Sequence, residues 1–257
     1  LVCRSCSGRR VIGNVVIQLL DMSDKFFEEY KQYSNALSNI IIDSNQEYFK
    51  NFVEKHNRHI ELLSERAKVA LKTLGEYGWY IPSLEHYISY PSDLAEQLNN
   101  GNEKYVDNEM CQMLKRNFQK LCNDILKKNP KRMHILKQAF KAHKSKKYAL
   151  SVPVFLSQAD GICKEITSYG LFFKDKKSPL TKAYVDTVEN NLIYGYLEPL
   201  RVVLPIIYSE KYIDDKIKFN RHKILHGEDY LYDNELISLK AFSLLSYINT
   251  FLHKKVV

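Results

Sequence analysis

The chain has 257 residues, 45% of them hydrophobic, which is enough for a packed core without disulfide support. Its 38 lysines and arginines exceed its 30 acids, and the formal charge of +8 favours polyanionic partners such as nucleic acid. No run of eighteen apolar residues occurs, which excludes an ordinary membrane-spanning helix, and we expect no membrane partner.

The five cysteines are odd in number and scattered along the chain, so they do not form a disulfide framework. This usage predicts a reducing, cytoplasmic location. Cys3 and Cys6 have half the ligand spacing of a zinc knuckle, but no second pair lies within knuckle distance. We therefore expect no metal and no cofactor, with structural zinc at these two residues as the alternative.

From about Met22 onward, apolar residues recur at helical spacing and almost nowhere alternate as in strands. The clearest stripe consists of Phe49, Phe52, Val53, His56, Ile60, Leu63, Ala67 and Ala70. This pattern predicts a long amphipathic helix that ends near Gly75 and Gly78. The segment G-E-Y-G-W-Y-I-P-S that follows predicts an aromatic corner between helices.

Three further helices are predicted before residue 148. A short one lies between Pro91 and Gly101, and a long one is closed by Asn129-Pro130. The third passes through Met133 and Phe140 and ends in the basic run K-A-H-K-S-K-K, residues 141–147. This run suits the negative pole of a helix dipole, so it is either a solvated helix end or a phosphate-binding patch. Its candidate RNA-binding residues are Lys141, Lys144, Lys146 and Lys147.

The stretch Y-A-L-S-V-P-V-F-L-S-Q-A-D-G-I-C-K-E-I predicts a helix opened by Ser151 or Val152 with Pro153. Two polar residues, Gln158 and Asp160, interrupt its apolar character. The helical pattern resumes from Tyr184 to Leu204, where Pro199 and Pro205 must kink or stop it. The chain is thus predicted to be all-α, and it carries neither a G-x-G-x-x-G nor a P-loop pattern.

The peptide F-N-R-H-K-I-L-H-G-E-D-Y, residues 219–230, has two interpretations. In the structural one, a helix begins near Asp214 and Asp215 and ends with Arg221, His222, Lys223 and His226 near the negative pole of its dipole. Gly227 then provides a left-handed cap. This arrangement needs no catalytic role.

The same residues also have the chemistry for cleaving RNA without a metal. Arg221 can bind a phosphate bidentately, and His226 can transfer protons near neutral pH. Five residues at about 100° each place these two roughly 140° apart around a helix, so a site that uses both needs a helix end or a second chain. His222 and His226 share a face, and a metal held with Glu228 or Asp229 is the alternative.

The segment N-R-H-K-I-L-H-G resembles the HEPN superfamily (higher eukaryotes and prokaryotes nucleotide-binding), whose hallmark is R-x-x-x-x-H. The matching residues are Arg221, His222 and His226. The surroundings also resemble HEPN proteins associated with phage defence, namely V-P-V-F-L-S-Q-A-D-G-I-C-K-E upstream and N-E-L-I-S-L-K-A-F-S-L-L-S-Y-I downstream. The resemblance covers roughly residues 148–253.

This resemblance implies a helical bundle and a metal-independent endoribonuclease that acts as a dimer in abortive infection or as a toxin. Arg221 would hold the scissile phosphate, His226 would be the general acid or base, and His222 would orient RNA or its partner across the interface. Asn220 and Lys223 would contact RNA. Transfer RNA is a frequent substrate of this superfamily, and an antitoxin or a phage-derived trigger protein is a further candidate partner.

We therefore predict three regions: an irregular N-terminal segment (1–21), a helical N-terminal region (22–147) and a HEPN-like helical domain (148–257). The alternative function is a non-catalytic interaction or sensor module that binds RNA, a nucleotide or a protein partner.

Overall fold

The chain divides into two compact units, residues 1–62 with 84–88 and residues 63–83 with 89–257. The structure is a computed structural model that describes residues 46–82, 90–175, 177–189, 191–207 and 219–252. Of the first unit, the described residues comprise only the beginning of one helix, from Gln46 to Leu62. The predicted irregular segment 1–21, with Cys3 and Cys6, lies outside the described residues.

Helices dominate the described residues, which confirms the all-α expectation. Their bounds are α1 Gln46–Glu76, α2 Tyr90–Asn99, α3 Glu103–Lys128, α4 Met133–Lys144, α5 Tyr148–Thr167, α6 Lys182–Val185, α7 Asn191–Tyr196, α8 Arg221–Leu225 and α9 Glu235–Leu252. The structure adds one antiparallel hairpin, β1 Lys174–Asp175 and β2 Ser178–Pro179. Single 3₁₀ turns lie at Pro130–Arg132, Glu198–Leu200 and Pro205–Ile207.

The predicted helix ends agree with the structure where glycine or proline sets them. Helix α1 ends at Glu76, between Gly75 and Gly78, and α3 ends at Lys128, directly before Asn129-Pro130. The region 184–204 was predicted to be helical with two proline stops. Its described residues include short helices and a 3₁₀ turn that contains Pro199, and a further 3₁₀ turn begins at Pro205. Proline lacks the N–H that would continue a helical ladder.

The core of the second unit surrounds α9, whose residues from Ile237 to Asn249 are all buried. Helix α9 packs mainly on α5 and α3, and α4 packs on α5. Each of these four helices contributes one phenylalanine ring to a central cluster. The ring centroid of Phe242 on α9 lies 4.5 Å from Phe118, 5.5 Å from Phe155 and 6.0 Å from Phe140. Such aromatic pairs contribute about 0.5–1.5 kcal/mol each beyond their buried area.

The predicted aromatic corner is confirmed, and it packs between α3 and α9. Trp79 is fully buried, and its indole N–H donates to Asp107 Oδ1 at 2.8 Å. The ammonium of Lys240, on α9, donates to the Tyr77 carbonyl at 2.8 Å, lies 3.6 Å from the Asp107 carboxylate and stacks on the Trp79 ring. Gly78 permits this turn because its φ is +80°.

Helices from both sides of residue 148 belong to the second unit. The HEPN-like domain over 148–257 stays a prediction. Within the part of the chain described, no helix is long and apolar enough to cross a membrane.

Candidate functional site

Helix α8 begins at Arg221, because Asn220 before it has extended backbone angles, φ −116° and ψ 104°. The Asn220 side-chain oxygen accepts the backbone N–H groups of His222 at 2.9 Å and Lys223 at 3.3 Å. The prediction of one helix from Asp214 to His226 is therefore wrong at Arg221, because a helix begins at this residue. The predicted start at Asp214 and Asp215 lies outside the described residues.

The end of α8 is closed as the sequence predicts. Gly227 has a φ of +76°, its N–H bonds to the Ile224 carbonyl at 3.3 Å, and the Glu228 N–H bonds to the Lys223 carbonyl at 2.8 Å. These two bonds form a Schellman motif, which needs a left-handed residue at the position of Gly227. A five-residue helix is thus held by an asparagine at one end and a glycine at the other.

The guanidinium of Arg221 is half-buried and already holds two neighbouring turns. Its Nε–H donates to the Ile206 carbonyl at 3.2 Å and an Nη2–H to the Phe172 carbonyl at 3.1 Å. It also stacks on the Phe172 ring, with 4.8 Å between Cζ and the ring centroid. Burial lowers the pKa of Arg221, and the carboxylate of Asp160 partly offsets that effect. Two of the five guanidinium N–H groups are thus used inside the protein.

His222 and His226 share one face of α8, as their four-residue spacing predicts. Their ring centroids are 4.2 Å apart, with His222 half-buried and His226 exposed. Nearby, Asp229 Oδ1 accepts the Leu231 N–H at 2.8 Å, whereas Asn234 caps α9 by accepting the Ile237 N–H at 3.0 Å. Across the described residues, no group of three His, Cys, Asp or Glu side chains is placed to hold a metal ion.

Asp160, on α5, belongs to this neighbourhood, although the sequence showed it only as a polar interruption of an apolar helix. Its Oδ1 accepts the Leu171 N–H at 2.6 Å, one residue before the Phe172 carbonyl that Arg221 binds. The other interruption, Gln158, accepts from Arg132 at 3.1 Å and has a structural role. The sequence showed that Asp160 and Gln158 are polar residues within an apolar stripe. It did not show which distant residue each of these side chains contacts.

The basic run 141–147 ends α4 and leads into α5. Its four lysines, Lys141, Lys144, Lys146 and Lys147, are exposed. His143 in the same run is buried. Its Nδ1 forms a hydrogen bond with Ser238 Oγ at 2.8 Å, and its ring stacks on that of Phe118. Burial lowers the pKa of His143 to about 4, so this histidine is neutral at pH 7 and adds no charge to the patch.

The connection 228–234, between α8 and α9, returns along α5. Asp233 Oδ1 accepts the N–H of Ala149, and the Tyr232 hydroxyl donates to the Ala149 carbonyl at 3.3 Å. That carbonyl is free for Tyr232 because Pro153, four residues later, has no N–H to offer it. Ala149 and Asp160 lie roughly 16 Å apart along α5. The motif residues 220–226 therefore lie together, whereas the lysine run lies at the other end of α5 from Arg221.

No protein-family model, no curated protein and no solved structure matches this chain. The resemblance to the HEPN superfamily therefore rests on the residues of the motif and its surroundings alone.

Proposed function

We propose that this chain is a metal-independent endoribonuclease of HEPN type that acts as a toxin or anti-phage effector. The observation that carries the proposal is the pairing, at the two ends of one short helix, of a permanently charged guanidinium, Arg221, with an exposed imidazole, His226; two of the five guanidinium N–H groups are bonded within the described residues. Proton transfer and stabilisation of a charged phosphorane are the two capacities that metal-free RNA cleavage requires.

In the proposed reaction, the 2′-oxygen attacks the adjacent phosphorus while a histidine accepts the hydroxyl proton. The bond from phosphorus to the 5′-oxygen breaks, a proton passes to that oxygen, and a 2′,3′-cyclic phosphate remains. His226 is the general acid or base, His222 orients RNA or its partner across the interface, and Arg221 stabilises the equatorial oxygens. Every proton is exchanged among the RNA, the histidines and water.

A second copy of the chain is proposed to complete the site. The Arg221 guanidinium faces the turns at Phe172 and Ile206, whereas His226 faces solvent, so one copy presents the two groups on different sides of α8. Beside the motif, Leu225, Tyr230 and Leu231 are 42%, 82% and 75% exposed. Exposed apolar side chains at one place are typical of an interface, and a two-fold axis there would bring the two motifs together.

Other partners follow from charge. Lys223 and the four lysines of the run 141–147 would bind the phosphate backbone of RNA without reading its sequence. Transfer RNA is among the candidate substrates. An antitoxin or a phage-derived trigger protein in the cytoplasm would restrain or release the activity.

The test is cleavage of total RNA by purified protein, with and without EDTA. We expect cleavage in both conditions, 2′,3′-cyclic phosphate ends, and loss of activity in the His226→Ala variant. His134→Ala is the matched control, because His134 is an exposed histidine on α4. If His226→Ala degraded RNA as fast as the control, the role of His226 would be refuted. Loss of activity with EDTA would instead favour a metal-dependent hydrolase that uses His222 and His226.

The second candidate function is a non-catalytic interaction or sensor module. One observation favours it: Arg221 donates to two backbone carbonyls and stacks on a ring, so the protein needs this arginine whether or not RNA binds. This candidate predicts a well-folded dimer without ribonuclease activity, in which His226→Ala changes neither stability nor association.

A further inference from the structure

Asp160 lies next to the turn that holds the guanidinium of Arg221. Its Oδ1 accepts the Leu171 N–H at 2.6 Å, and the following residue, Phe172, offers Arg221 both its carbonyl at 3.1 Å and the face of its ring. The carboxylate and the guanidinium are therefore joined through one short piece of backbone.

This turn is packed at Phe172, which is buried with 6% of its surface exposed. A Cβ added at Gly170 would lie 3.6 Å from Asp160 Oδ1, so the carboxylate lies against the backbone of the turn. The hydrogen bond from the Leu171 N–H to a carboxylate is charge-assisted, which makes it stronger than a bond between neutral groups. The turn at residues 170–173 is thus held by a carboxylate of α5 and by the buried ring of Phe172, and its position decides where the guanidinium of Arg221 can lie.

We propose that Asp160 is the positioning residue of Arg221. By fixing the Leu171–Phe172 turn, it sets the direction in which the other N–H groups of Arg221 meet the RNA phosphate, and its negative charge stabilises the half-buried guanidinium. Asp160 touches no substrate. The inference rests on the proposed ribonuclease function for its effect on catalysis, but the coupling of Asp160 to Arg221 is measurable without RNA.

Two substitutions separate the carboxylate's bond from its charge. Asp160→Ala removes both, whereas Asp160→Asn keeps an oxygen acceptor for the Leu171 N–H and removes only the charge. Glu165→Gln is the matched control, because Glu165 is an acid on the same helix that pairs with Arg132. We expect kcat of Asp160→Ala to fall by about 10²-fold with little change in KM, since misplacing a group by about 1 Å costs that much. The control should retain the wild-type kcat.

A double-mutant cycle distinguishes positioning from general damage. The Arg221→Lys variant lacks the planar guanidinium that the turn orients. In this background, adding Asp160→Ala should lower kcat by less than about threefold further. If Asp160→Ala lowered kcat equally in both backgrounds, Asp160 would not act through Arg221 and the inference would be refuted.

A measurement without RNA tests the inference even if the protein cleaves nothing. The Nη2–H resonance of Arg221, which donates to the Phe172 carbonyl and is assigned by its loss in Arg221→Lys, should exchange with water roughly tenfold faster in Asp160→Ala than in the wild type. Asp160→Asn should show a smaller increase in the same direction and serves if Asp160→Ala does not fold. Absence of RNA cleavage by the wild type refutes the proposed function alone. Unchanged exchange in the folded Asp160 variant refutes the positioning role.

Discussion

Replacing Asn220 with alanine separates the two roles that this residue could have. Its side chain was predicted to contact RNA, but in the structure it is buried, with 5% of its surface exposed, and its oxygen accepts two backbone N–H groups of α8. Asn220→Ala removes that acceptor and leaves both N–H groups at the start of the helix without their partner.

The size of the effect follows from the two distances. The bond from the His222 N–H is 2.9 Å long and well formed, whereas that from the Lys223 N–H, at 3.3 Å, is weak. We therefore expect one effective capping interaction to be lost, about 1 kcal/mol of unfolding free energy. In a domain of this size, that loss lowers Tm by about 2–4 °C.

Urea unfolding followed by circular dichroism measures the change. Asn220→Asp is the matched control, because aspartate keeps the acceptor oxygen and should leave the unfolding free energy within about 0.5 kcal/mol of the wild type. Binding to a single-stranded oligonucleotide is measured on the same samples and should weaken only as far as α8 unfolds. If Asn220→Ala bound RNA much more weakly while its stability was unchanged, the capping argument would be wrong.

Three further outcomes are expected. Gly227→Ala should lower the unfolding free energy by about 1–2 kcal/mol in urea titrations, because alanine is strained at a φ of +76°. Open space surrounds the site, so no steric clash adds to this cost. A variant as stable as the wild type would contradict the prediction. The pKa of His143 falls to about 4 in the folded protein, so between about pH 6.5 and 4 only the unfolded chain binds a proton at this residue. The unfolding free energy should therefore fall as the pH is lowered through that window. The His143→Phe variant, measured from about pH 7 to 5, should show a shallower loss. Lys240→Ala should cost about 3–5 kcal/mol in thermal melting, since it leaves the Asp107 carboxylate without its buried ammonium, and a loss below 1 kcal/mol would refute that role.

The long helices were accessible from sequence because their signals are local. The apolar stripe ending near Ala70 and the Asn129-Pro130 stop predict α1 and α3 closely, since helical spacing and the missing proline N–H act within a few residues. The start of α5 at Tyr148, ahead of Ser151, was missed. It depends on Asp233, a residue more than eighty positions away that accepts the Ala149 N–H.

The candidate site shows the same division. The sequence identified Gly227 as a left-handed cap and the shared face of His222 and His226, because both follow from helix geometry alone. The sequence misplaced the start of α8. Acidic residues followed by basic residues at helical spacing predict one continuous helix, whereas the Asn220 side chain caps a helix that begins at Arg221. The link of Arg221 to Asp160 through a distant turn has no local signature.

Arg221 at the start of α8 is held by the Phe172 turn, whose neighbour Leu171 bonds to Asp160 on α5, and the connection from α8 to α9 is fastened to α5 at Ala149. Asp160 and Ala149 are roughly 16 Å apart along α5, whereas the eight residues that follow α8 up to Asp233 could reach about 26 Å if extended. The chain therefore has spare length in this connection, where the side chains of Tyr230 and Leu231 are exposed. A fluorescent label on the Tyr230 side chain should leave both attachments intact, and it would report directly on whether a second copy of the chain covers this place.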